Sequence, residues 1–63
     1  MEEVYQYRGA TVNVCKDLVT DSYFWGIQYK GLISSYGPFS KPIQAKESAE
    51  EFVDSVQANW FME

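Results

Sequence analysis

Between positions 23 and 30 the sequence YFWGIQYK places Tyr23, Trp25, Ile27 and Tyr29 at every second position, with Phe24, Gly26, Gln28 and Lys30 between them. Successive side chains of a strand point to opposite faces, so this period of two specifies a β-strand with one strongly aromatic face. Six aromatic residues crowd into positions 23–39. The strand therefore carries more ring surface than one covering layer can bury, since Phe24 lies on the face opposite Trp25.

The neighbouring segments read as partners for this strand. Lys30-Gly31 makes a turn, and LISSY returns as a further strand that Gly37-Pro38 ends, because proline supplies no donor to a ladder. Two registers are open around Gly31, and they swap Leu32 and Ile33 between faces. Upstream, EVYQYRGATVNVC alternates around a glycine. A two-residue type II′ turn at Gly9-Ala10 pairs Arg8 with Thr11, Tyr7 with Val12 and Tyr5 with Val14, and gathers Tyr5, Tyr7, Val12 and Val14 on one face. The mixed segment KDLVTDS reads as a loop.

From Ser40 onward the period changes. Ala45, Ala49, Phe52, Val53 and Val56 fall on one side at about 100° per residue, the pattern of an amphipathic helix. Ser40 is the expected N-cap, with Pro42 in the first turn where its missing N–H costs nothing. A later start, with Ser48 and Glu51 as a capping box, is the alternative. The alanines let the helix approach the sheet closely. The expected fold is α+β: an antiparallel β-meander of three to four strands (about 3–8, 11–16, 22–29 and 32–36) with one C-terminal helix (about 41–59) across one face.

A chain of 63 residues makes one domain. It buries only about 60% of the surface its unfolded form exposes. An aromatic share of 17% suits that size, because large rings bury much area per residue. The single cysteine, Cys15, excludes an internal disulfide and points to a reducing, intracellular setting. MEEVYQYR lacks the features of a signal peptide, and no apolar run approaches a membrane span. The reading is a soluble protein of the cytoplasm.

Catalytic chemistry is not expected. The sequence has no histidine, and Cys15 in an alternating strand reads as an inert small side chain. No Gly-rich phosphate loop occurs, and no nucleophile, base and orienting group can be assembled. No cofactor or metal is implied. A net charge of −4 argues against direct nucleic-acid binding.

Two features suggest binding instead. Glu47, Glu50, Glu51 and Asp54 are spaced three, one and three apart, which on a helix gathers them in a narrow arc opposite the apolar side. Only Lys46 lies nearby. The arc reads either as a solvated helix face or as a row of carboxylates that occupies a basic groove on another protein. The second feature is the tail NWFME. Trp60 continues the apolar side of the helix, whereas Phe61 and Met62 either cover a sheet edge or join Phe24, Ile33 or Phe39 in a contact patch.

The chain resembles small phage- and prophage-encoded proteins with a short β-meander followed by one helix. The resemblance rests on Tyr5-x-Tyr7-Arg8-Gly9, on Tyr23-x-Trp25-x-Ile27, and on Ala45-x-x-x-Ala49-x-x-Phe52-Val53-Asp54. Some acidic members of that class are anti-CRISPR or other anti-defence inhibitors, and the resemblance implies action by binding a host complex. The order of elements is also similar to double-stranded-RNA-binding domains, but the first helix of that fold is missing and the remaining one is acidic.

The resulting expectation is a non-catalytic inhibitor in a bacterial host cell. It would dock Glu47, Glu50, Glu51 and Asp54 on a basic, nucleic-acid-handling protein. A homo-oligomeric module, such as a homodimer paired through exposed aromatics, is the first rival. A single-stranded nucleic-acid binder that stacks bases on Tyr23, Trp25 or Tyr29 is the second.

Overall fold

A computed structural model describes residues 2–61, and the side chains of residues 3–59. Four strands, β1 (Glu2–Tyr7), β2 (Ala10–Asp17), β3 (Ser22–Tyr29) and β4 (Leu32–Phe39), form one antiparallel sheet in sequence order, and α1 (Pro42–Phe61) packs across one face. The α+β meander with a C-terminal helix is the architecture expected from the residue pattern.

Both short hairpins turn on a basic residue followed by glycine. Arg8 and Gly9 have φ of 51° and 85°, and Lys30 and Gly31 have 48° and 84°. Two consecutive positive φ values define a type I′ turn, whose twist matches that of the flanking strands, and glycine accepts the second position without strain. The first turn thus lies at Arg8-Gly9, one residue before the expected Gly9-Ala10. Tyr7 pairs with Ala10, Tyr5 with Val12 and Glu3 with Val14. This register differs from the expected one by two residues. A slip of two preserves the faces, so Tyr5, Tyr7, Val12 and Val14 still share one side.

At the second turn Tyr29 pairs with Leu32 and Gln28 with Ile33, which puts Leu32 on the helix side and Ile33 on the open side. The strand does not stop at Gly37. It continues to Phe39 through a bulge between Tyr23 and Trp25, where two residues of β4 oppose Phe24 alone. The cis Gly37–Pro38 bond sits inside that bulge, on an edge strand, where a missing donor breaks no ladder. Glycine is required there by closeness: a Cβ on Gly37 would lie 2.5 Å from Phe24 Cδ2.

The loop between β2 and β3 is tighter than its composition suggests. The Asp21 N–H donates to the Asp17 carbonyl at 2.8 Å, and the Val19 N–H donates to Asp17 Oδ1 at 3.0 Å. Asp17, beyond the expected end of the strand, pairs with Ser22.

The helix starts early, as the apolar phase requires, but its cap differs from expectation. The Lys41 carbonyl accepts from the Gln44 and Ala45 N–H groups, so Lys41 holds the N-cap position and Pro42 the first helical one. Ser40 is one residue too early to reach those amides, and its hydroxyl bonds Gln44 Oε1 at 3.0 Å instead.

The core is a single layer. Ala10, Val12, Val14, Trp25 and Ile27 from the sheet meet Ala45, Ala49 and Val53 from α1. The three helix residues recur every four positions, and two are alanines, so the helix axis comes close to β2 and β3. Tyr5, Tyr7, Tyr23, Tyr29, Leu32, Phe39 and Phe52 close the rim around them.

Candidate protein-interaction surface

The two flanks of α1 are built differently. Toward β1 the contact is polar. The Tyr5 hydroxyl donates to Glu50 Oε2 at 3.0 Å, and the Tyr7 hydroxyl donates to Asp54 at 3.1 and 3.3 Å. Arg8 pairs with Asp54 at 2.7 Å and Lys46 with Glu3 at 2.8 Å, while the Gln57 amide reaches the Arg8 carbonyl at 2.5 Å. The geometry follows from two repeats. Residues two apart on a strand are separated by about 6.8 Å, and residues four apart on a helix rise about 6 Å. Tyr5 and Tyr7 therefore match Glu50 and Asp54 nearly in step.

This arrangement shifts the titration of its members. Burial, then the hydrogen bond to Glu50 and its charge, pushes the Tyr5 phenol well above its ordinary value. Tyr7 rises for the same reasons, desolvation first and then the bond to Asp54. The hydrogen bond and charge of Asp54 also raise Arg8.

Toward β4 no such link exists: among the described residues, no side-chain hydrogen bond or ion pair joins α1 to β4. A groove of about 430 Å³ opens there, lined by Trp25, Ser34, Ser35, Tyr36, Ser48, Glu51 and Phe52. Trp25 forms its floor and is held by a bond from its indole N–H to Ser48 Oγ at 3.1 Å. The Trp25 ring lies 5.3 Å from Phe52 and 6.3 Å from Tyr36, centroid to centroid. Tyr36 is 65% exposed.

The acidic arc is thus divided. Glu47 and Glu51 are exposed, and among the described residues neither has a cation partner. Glu50 and Asp54 are half-buried and committed to Tyr5, Tyr7 and Arg8. This corrects the expectation of four carboxylates lying free together. The reason is that β1 extends beyond the edge of the helix, so its tyrosines reach up to the nearer side of the arc.

The aromatic expectation also needs revision. Phe24 lies on the sheet face away from the helix, half-buried against Gly37, so it shares no surface with the acids. Phe39 is turned to the helix side, 6.1 Å from the Tyr36 ring, and shares no patch with Phe24. The side chains of Trp60 and Phe61, and the whole of Met62, lie outside the described residues. Trp25 is buried beneath α1 and offers no face for stacking a base.

Sequence reasoning does not mark the groove residues Ser34, Ser35 and Tyr36 as site residues, and it reads Ser48 only as an alternative helix cap. Their polarity hides the site, since a Ser-Ser pair in a strand carries no periodic signal. The tyrosine–acid match was accessible in principle, from Tyr5-x-Tyr7 on the helix side and acids at i and i+4 on α1.

Among the described residues no helix is long and apolar enough to cross a membrane. Comparisons with protein-family models, curated proteins and solved structures find no match to the chain.

Proposed function

We propose that this chain is a non-catalytic interaction protein that binds and blocks a basic, nucleic-acid-handling protein. The observation that carries the reading is the exposed pair Glu47 and Glu51, uncompensated by any cation among the described residues, beside an aromatic-floored groove. Carboxylates left unpaired on a chain of net charge −4 attract a cationic surface and steer its approach. The rings supply apolar area of the kind that dominates interface centres. Glu50 and Asp54 contribute negative potential while they hold the helix in place. The resemblance to small phage-encoded inhibitors supports a host defence complex as the target class, and the bacterial cytoplasm as the compartment.

The test is a parallel pull-down from bacterial lysate with the parent chain and the E47K/E51K variant, with the captured proteins identified by mass. The expected result is a basic nucleic-acid-binding protein held by the parent and lost from the variant. An unchanged set of captured proteins in the two arms removes the reading.

A second reading, a homo-oligomer, is favoured by Val4 and Ile33, which are 61% and 75% exposed on the sheet face that α1 leaves uncovered. Sedimentation velocity discriminates the two, since a strict monomer at high concentration excludes it.

A further inference from the structure

The free edge of β4 runs along the groove, and the two features point to a single mode of binding. Tyr29 and Leu32 flank a two-residue turn, so they form a hydrogen-bonded pair, and pairs along β3 and β4 then alternate. Leu32, Ser34 and Tyr36 turn their backbone groups toward β3. Ile33 and Ser35 turn theirs outward, away from the sheet. Natural edges are normally blunted by charge, proline or a covering element. From Leu32 to Tyr36 this edge reads LISSY and carries neither charge nor proline. No strand flanks it among the described residues.

We infer that an extended segment of a basic partner protein adds to β4 as a fifth strand. Alternate side chains of that segment would enter the groove between β4 and α1, and a lysine or arginine among them would meet Glu51. The inference rests on the proposed function only for the sign of the partner's charge. Strand addition supplies main-chain hydrogen bonds, and the groove supplies selection at every second residue. Tyr36 and Phe52 offer apolar contact above the buried Trp25, Ser34 and Ser48 offer hydrogen bonds, and Glu51 sets the charge at the rim. A second copy of this chain is a poor occupant. Its own β4 brings no cation, and pairing two edges would bring two acidic rims together on chains of net charge −4.

The experiment uses the blocked peptide Thr-Leu-Thr-Arg-Thr-Leu-Thr, the same peptide with Glu in place of Arg, and two versions N-methylated at the odd or the even residues. Binding to the 15N-labelled protein is followed by amide shifts and hydrogen exchange. The expected outcome is slower exchange at Ile33 and Ser35, with affinity reduced about tenfold or more by the Arg-to-Glu change. Only one of the two methylated sets should lose binding, because only alternate amides of an added strand face β4. The Ser35→Pro variant removes an outward N–H without touching the bonds to β3, and should weaken the parent peptide about tenfold or more.

Equal loss, or no loss, with both methylated peptides overturns strand addition. Binding that survives Ser35→Pro but fails in E47K/E51K also overturns it, and leaves the acidic helix face as the contact. Protection of Ile33 and Ser35 that grows with protein concentration alone names a second copy as the occupant and contradicts the inference. Absence of binding by every basic peptide does so as well.

Discussion

The side of α1 that faces β1 and the side that faces β4 rest on the same core, yet among the described residues only the first is joined to its edge strand by side-chain hydrogen bonds and ion pairs. Toward β1, Tyr5, Tyr7, Arg8 and Lys46 engage Glu50, Asp54 and Glu3. Toward β4, the helix leaves a groove floored by Trp25 and rimmed by Glu51. The difference shows how one helix presents two unlike flanks. Polar contacts tie one flank to β1, while Ala45, Ala49 and Val53 seat the helix on the sheet and leave a groove on the other. Acids spaced alike in the sequence therefore have unlike surroundings, decided by which strand lies beneath them.

The largest effect is expected at the residue that the core and the groove share. Trp25→Ala removes the ring beneath the helix and its bond to Ser48, and should cost about 3–5 kcal/mol. In a domain of this size that loss abolishes the cooperative thermal transition seen by circular dichroism. A cooperative transition retained within a few degrees would show that the groove floor is not part of the core.

Next in size is the flank joined to β1. Tyr5→Phe removes the bond to Glu50 while keeping the ring, and should cost about 1 kcal/mol. For so small a domain this lowers the thermal midpoint by about 4–8 °C. Tyr5 and Tyr7 also make stability depend on alkaline pH. Both hold their protons more tightly when folded than when unfolded, so their stabilisation is complete below the ordinary phenol value of 10.0 and is lost as pH rises beyond it. The double variant Tyr5→Phe with Tyr7→Phe should be less stable at neutral pH and show a flatter decline above that value. Parallel pH profiles for parent and variant would remove the tyrosines from the account.

How much of this was legible in the sequence follows the same division. The faces were readable, because alternation fixes parity, and parity survives a two-residue slip in the first hairpin. The turn at Lys30-Gly31 was readable from its residues, whereas Gly9 admitted two turn types that differ by one position. Ser40 is not the cap, because Pro42 sets the first helical residue and leaves Lys41 before it. The length of β4 was underestimated, since a proline inside an edge bulge breaks no ladder. The division of the acidic arc was not legible from α1 alone. It depends on how far β1 extends past the helix, which is a property of two elements 45 residues apart in sequence.

The smallest effect is expected on the open side. Ile33→Thr alters an exposed side chain, and it should change stability by no more than about 0.5 kcal/mol in urea unfolding. A loss several times larger would mean that the face of β4 away from α1 is packed rather than open.

Paired charge reversals on the one helix address the asymmetry most directly. Thermal midpoints are compared for E50K/D54K, for E47K/E51K and for the parent chain at one pH and salt. The expected result is a fall of about 5 °C or more for E50K/D54K, where Tyr5, Tyr7 and Arg8 lose their acceptors, against a change within about 2 °C for E47K/E51K. Equal falls in the two variants, or a larger one for E47K/E51K, would contradict the assignment of one acid pair to the fold and the other to the surface.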